Sequence, residues 1–158
     1  YAPYNWTQPD DSNGAVQISG SSDYAYGYDV MMAQKIADEL GYELEIVKLD
    51  WDSLVPAVQS GQVDCVIAGQ SITKERQQMV DFTEPYYYAS IITLVKNDGD
   101  YKDAASVEDL KGATVTSQQN TIWYDSCLPQ IPDGNILPAQ ESAPAMLVAL
   151  ESGNSTQL

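Results

Sequence analysis

The sequence predicts an α/β fold on three observations. Helical and extended hydrophobic patterns alternate along the chain, the helical segments stop at glycines, and one helix-to-strand pattern occurs twice. Residues 1–26 are rich in Pro, Gly, Ser, Asp and Tyr and read as loop. Val30, Ala33, Ile36, Ala37 and Leu40 then recur at helical spacing, and Gly41 ends the run. Residues 42–47 alternate, with Leu44 and Ile46 set against Glu43 and Glu45, as a strand does. Asp50, Asp52 and Ser53 offer caps for a helix through Leu54, Val55 and Val58 that stops at Gly61. Residues 63–68 read as a short buried strand, and residues 91–95 as a further extended apolar run. Residues 96–103 are polar and read as a crossover between domains. A short capped helix is expected over residues 106–112, a strand over 113–116, a polar turn over 118–121 leading into a helix around 122–126, and a helix over 142–151 with Pro144 in its first turn. The order implies a parallel or mixed sheet with helices on its faces.

The repeated pattern is Ala57-Val58-Gln59-Ser60-Gly61 against Ala149-Leu150-Glu151-Ser152-Gly153. The first copy runs into residues 63–68; the second reaches Ser155-Thr156-Gln157-Leu158 and stops. Tyr1-Ala2-Pro3 reads as a loop leaving a strand. The expectation is therefore a fold interrupted at both ends, as a fragment, a split chain or a chain broken by an insertion, with ordinary disorder at the ends as the rival explanation.

Composition narrows the chemistry. The 158 residues carry a formal net charge of -16 with Lys+Arg 7, so phosphate backbones and anionic lipid surfaces are repelled and neither nucleic acid nor a membrane surface is an expected partner. The same charge mildly favours cationic or zwitterionic small ligands. His is absent, which removes His-based triads and the commonest zinc ligand. Nothing approaches the ~18 consecutive apolar residues of a membrane span. Asp10, Asp11 and Asp23 fit no calcium-loop spacing and read as solvated loop, so no metal or cofactor is expected. Cys65 lies in an apolar run, where a buried free thiol is the default; a bridge to Cys127 stays open, because spacing does not decide pairing.

The sharpest segment is Ala68-Gly69-Gln70-Ser71-Ile72-Thr73-Lys74-Glu75-Arg76. A strand delivers the chain to Gly69, where another group approaches the backbone closely; Ser71 presents a hydroxyl; Thr73 caps the turn that carries Arg76. Ligands of open α/β sheets bind at such exit loops. A guanidinium there holds a carboxylate through two parallel hydrogen bonds. A single Arg is more often a surface ion pair, and the full string is far more specific than its Arg.

Gly27-Tyr28-Asp29-Val30, residues 50–57, Ser60-Gly61-Gln62-Val63-Asp64, residues 69–76 and Asp81-Phe82-Thr83-Glu84-Pro85-Tyr86-Tyr87 together resemble, in order, the polar amino-acid family of periplasmic solute-binding proteins that serve ABC importers. The opening Tyr1-Ala2-Pro3-Tyr4-Asn5-Trp6 is similar too, whereas Met31 stands where the family usually carries an acidic residue. The resemblance implies a two-lobed, periplasmic-binding-protein-like type II fold closing on a free amino acid. Lobe one would hold residues 1–95 and a partial lobe two residues 96–158; the first strand of lobe one and the C-terminal part of lobe two would be absent. It implies that Arg76 meets the ligand's carboxylate and that the Gly69 carbonyl and Ser71 hydroxyl accept from its ammonium. Gln70 belongs to the same loop, Tyr1 and Trp51 would flank the ligand side chain, and Asn120 and Thr121 would offer a second-lobe turn to the carboxylate. A second-lobe acidic partner for the ammonium would fall beyond Leu158, so weak binding by this chain alone is expected. The implied partners are a basic or polar amino acid and ABC permease subunits, in an extracytoplasmic location and without catalysis. The same module used as a sensor domain or split-sensor half, and a dehydratase-type enzyme on this fold, are the alternatives. Taken singly, Trp51 also fits a staple at a helix entry, Tyr1 an exposed terminal residue, and Asn120-Thr121 a capping pair.

Overall fold

The computed structural model describes residues 2–153. It divides into two compact units, Tyr1–Phe82 and Thr83–Leu158.

The first unit opens with a three-stranded antiparallel sheet of order β1-β3-β2: β1 (Trp6–Gln8), β2 (Val16–Gln17) and β3 (Tyr24–Tyr26). The expectation of loop over residues 1–26 is corrected here. Glycines, serines and prolines mask short runs of Trp, Thr and Tyr that suit a pleated surface. Trp6 stands opposite Tyr26, and their rings meet edge to face, centroids 5.2 Å apart at 87°. Ile18, Ala25 and Val30 form the buried cluster beneath, with Val16 and Ile46 packed against it.

Helix α1 (Tyr28–Leu40) bears out the expected helix. Gly41 ends it in the left-handed conformation (φ 72°), its N–H returning to the Ala37 and Asp38 carbonyls. The start is tied to the N-terminal loop. The Tyr28 and Asp29 N–H groups donate to the Pro3 and Tyr4 carbonyls at 3.1 and 2.9 Å, and Asn5 Nδ2 donates to the Asp29 carboxylate at 2.8 Å. Asp29 is 1% exposed, so this partner offsets the desolvation of a buried carboxylate. Gly27, at φ 128°, is required: a Cβ there would overlap the Tyr4 carbonyl. The helix stripe is narrower than its periodicity suggests, since Val30 and Ala37 are buried but Ile36 and Leu40 are exposed.

A 3-10 turn (Trp51–Ser53) leads into α2 (Leu54–Gln59), which packs through Ala57. The caps expected from Asp50 and Ser53 are not made by their side chains; the Ser53 N–H bonds to the Asp50 carbonyl instead.

The extended segments need correction. Residues 42–47 contribute only a parallel bridge, Ile46 to Ile18. Residues 63–68 form no ladder, and Cys65 is an exposed free thiol rather than a buried one. In residues 91–95, Ile91 and Ile92 are exposed (50% and 74%). Alternation and β-branching describe a surface that suits a sheet, but a strand exists only where a neighbour supplies the ladder.

In the second unit β4 (Thr114–Val115) and β5 (Asn135–Ile136) pair in parallel. Their connection carries a π turn (Trp123–Cys127) and a 3-10 turn (Leu128–Gln130), as a parallel pair demands a crossover. The Asn135, Leu137 and Gln140 N–H groups continue the pairing to the Ala113, Val115 and Ser117 carbonyls at 2.9, 2.8 and 2.8 Å. Leu110, Ala113, Val115, Leu128 and Ile131 form the core. Thr116 is fully buried and donates its hydroxyl to the Pro138 carbonyl at 2.9 Å. The expected helix at 106–112 is a single 3-10 turn (Glu108–Leu110) with a reciprocal cap. Asp109 Oδ2 accepts from the Ala105 and Ser106 N–H groups at 3.0 and 2.9 Å, while Ser106 Oγ accepts from the Asp109 N–H at 3.3 Å. Helix α3 (Ala143–Glu151) begins at Ser142, whose hydroxyl accepts from the Ala145 N–H, with proline in the first turn. Cys127 is a free thiol too. Among the described residues no helix is long and apolar enough to cross a membrane.

Candidate functional site

In the first unit the loop after residue 68 turns at Gly69, which is exposed and left-handed (φ 62°), with open space where a Cβ would stand. Only strain, and no clash, therefore opposes a side chain at this position. Thr73 then organises the next turn. Its carbonyl accepts from the Gln77 N–H at 2.9 Å and its hydroxyl from the Arg76 N–H at 3.2 Å. The Glu75 carboxylate is held below its usual range, first by its own backbone N–H, then by the Thr73 hydroxyl, with Lys74 adding a smaller pull. This hydroxyl therefore serves both ends of one short turn, and that turn fixes the backbone of Arg76.

The guanidinium is fixed as well. Arg76 Nη1 donates to the Ser71 carbonyl at 2.8 Å, so the residue that was expected to contribute its hydroxyl contributes its backbone oxygen here. Arg76 Cζ lies 5.6 Å from the centroid of the Trp51 ring. A cation at that distance over an indole gains about 1 kcal/mol when half-shielded from water, as both side chains are. The structure thus brings Trp51, Ser71, Thr73 and Arg76 together and sets Gly69 and Gln70 on the adjoining loop. The Trp51–Arg76 contact was not foreseen from the sequence. The two residues are 25 positions apart in the sequence, and no local spacing rule relates them.

Asn120 and Thr121 belong to the second unit. Asn120 is exposed and left-handed (φ 54°), which suits the tight turn. Thr121 is 5% exposed. Its hydroxyl donates to the Gln118 carbonyl at 2.7 Å and accepts from the Tyr124 N–H at 3.3 Å, so it caps the following turn. Tyr1 lies outside the described residues, as do residues 155–158 of the repeated pattern. A depression of the first unit is open and lined by residues 17–22 with Glu43, Leu44 and Glu45; neither Trp51 nor Arg76 lines it.

The family model for bacterial extracellular solute-binding proteins, family 3, matches residues 10–153. The arginine-binding extracellular protein ArtP of Bacillus subtilis is 40% identical over 100 residues, covering 63% of this chain and 38% of the relative. The solved structure of an amino acid ABC transporter substrate-binding protein from Streptococcus pneumoniae, bound to L-arginine, superposes with a TM-score of 0.82 at 29% identity, covering 99% of this chain and 61% of that one. An ancestral amino acid-binding protein, a precursor of cyclohexadienyl dehydratase, superposes with a TM-score of 0.81 at 32% identity, covering 99% and 64%. The matched parts amount to under two thirds of each of these proteins. The α/β fold of the type II periplasmic binding proteins, expected from the sequence, is thereby shown.

Proposed function

Since this chain belongs to the bacterial extracellular solute-binding proteins of family 3, we propose that it holds the acid end of a free amino acid on Arg76 and serves delivery of that ligand to an ABC permease outside the cytoplasm. The observation that carries this reading is the guanidinium anchored at the Ser71 carbonyl and over Trp51, on a loop whose Gly69 leaves room for a ligand. A carboxylate gripped by a guanidinium is worth roughly 1.5–3 kcal/mol net. The Gly69 carbonyl and Ser71 hydroxyl take the ammonium, Trp51 and Tyr1 flank the side chain, and Gln70 lines the loop. Asn120 and Thr121 add N–H groups to the carboxylate from a second lobe, and we set the lobes at residues 1–95 and 96–158 with a hinge near residues 92–96. The Thr121 hydroxyl proton is engaged by Gln118, so the N–H groups are the better candidates for that grip.

Arginine is the first ligand to test. Relatives and solved neighbours are named for it, and a net charge of -16 attracts a cation. A thermal-shift screen of the twenty amino acids on the intact protein tests the reading: basic or polar amino acids should raise the melting temperature, and no response to any of them would end it. We read the activity as binding rather than catalysis, because the sequence holds no His and no nucleophile beside a base at recognisable spacing. Turnover of a bound prephenate-like acid would overturn that part.

A further inference from the structure

We propose that Trp51 is a positioning residue for Arg76, and so contributes to affinity for the acid end that every amino acid shares, beyond any part in side-chain preference. The inference rests on the carboxylate role of Arg76 proposed above. The planar guanidinium needs its direction and its plane set before it meets a carboxylate in fork geometry. The hydrogen bond to the Ser71 carbonyl at 2.8 Å sets direction, and the indole at 5.6 Å sets which way the plane can turn. The backbone beneath is held by the Thr73 hydroxyl at 3.2 Å. Trp51 is itself held at the start of the turn Trp51–Ser53 that leads into α2, so the platform belongs to an ordered element rather than to a free loop. One face of the indole is therefore covered by the protein's own cation. Pre-setting a side chain in its bound geometry removes an ordering cost from the binding step.

Calorimetry on the intact protein tests this with L-arginine and L-glutamine, which share the acid end and differ in side-chain charge. Trp51→Met keeps apolar volume and loses the π face; Trp51→Phe keeps a face. Trp51→Met should weaken both ligands by a common factor of about 3- to 30-fold, and Trp51→Phe should recover most of it. In an Arg76→Lys background, where no guanidinium plane remains to be set, Trp51→Met should cost under about threefold. A loss confined to one ligand, or an equal loss in the Lys background, overturns the positioning role while leaving the carboxylate role intact. Arg76→Ala binding as wild type would sink the carboxylate role instead. A cooperative melt for each variant separates these results from misfolding, and Trp51→Phe supplies the comparison if Trp51→Met does not fold.

Discussion

The loop of residues 69–76 and the turn of residues 118–121 resemble each other as sequence: each places a small polar run ahead of a helical turn. They differ in what their polar atoms are committed to. In the first, the Thr73 hydroxyl fixes a backbone and the Ser71 carbonyl and Trp51 ring fix a guanidinium, whose charge is then presented on a prepared mount. In the second, Thr121 is 5% exposed and its hydroxyl is engaged at both its donor and acceptor sides. The first arrangement holds a charged side chain in place; in the second the hydroxyl caps a turn. A polar residue at a turn therefore carries no fixed role until the partners of its atoms are counted.

Substitutions sharpen that contrast, and the largest effect belongs to the first loop. Arg76→Ala should lower amino-acid affinity by about 2–4 kcal/mol, roughly 30- to 1,000-fold, because the ligand carboxylate would lose a charged partner. Its stability without ligand should also fall, by the lesser amount of about 1–2 kcal/mol, because the bond to the Ser71 carbonyl and the contact with Trp51 go with the side chain; calorimetry and a melting curve together check both halves. Gly27→Ala lies in the same unit but far from the guanidinium in role. Overlap with the Tyr4 carbonyl and the left-handed backbone should cost about 2–3 kcal/mol of stability, measured by denaturant midpoint. A midpoint unchanged by this substitution would mean that the clamp between residues 3–5 and 27–29 is not as described. Thr121→Val should cost about 1–2 kcal/mol of stability, and Thr121→Ser much less, because serine keeps the capping oxygen. If Thr121→Val instead lowered affinity and left stability alone, the contrast between the two turns would be broken.

The smallest effect concerns pH. The Asp109 carboxyl is held below its ordinary value of 3.8, first by the Ala105 N–H and then by Ser106. A depressed carboxyl contributes stability that is present above its unfolded pKa and is lost as pH falls through its folded pKa. Asp109→Asn keeps an acceptor for the cap and removes the titration. Its melting temperature should therefore fall less steeply than that of the wild type on acidification below about pH 4, followed by circular dichroism.

Helices α1 and α2 with their glycine stops, helix α3 with proline in its first turn and the string ending at Arg76 were all readable in the sequence. So was the fold family, because its motifs recur in order. These features are local. A helix closes its hydrogen bonds within four residues and a cap within three, so propensity and spacing suffice. The N-terminal sheet, the missing ladders at residues 42–47 and 63–68, and the exposure of Cys65 were not readable, because a strand takes its partners from distant sequence. The same reason governs the site. The sequence by itself determined which residue would carry the positive charge, whereas only the tertiary structure decided that a tryptophan and a carbonyl would hold it, since contacts across the chain follow from packing and from no spacing along it.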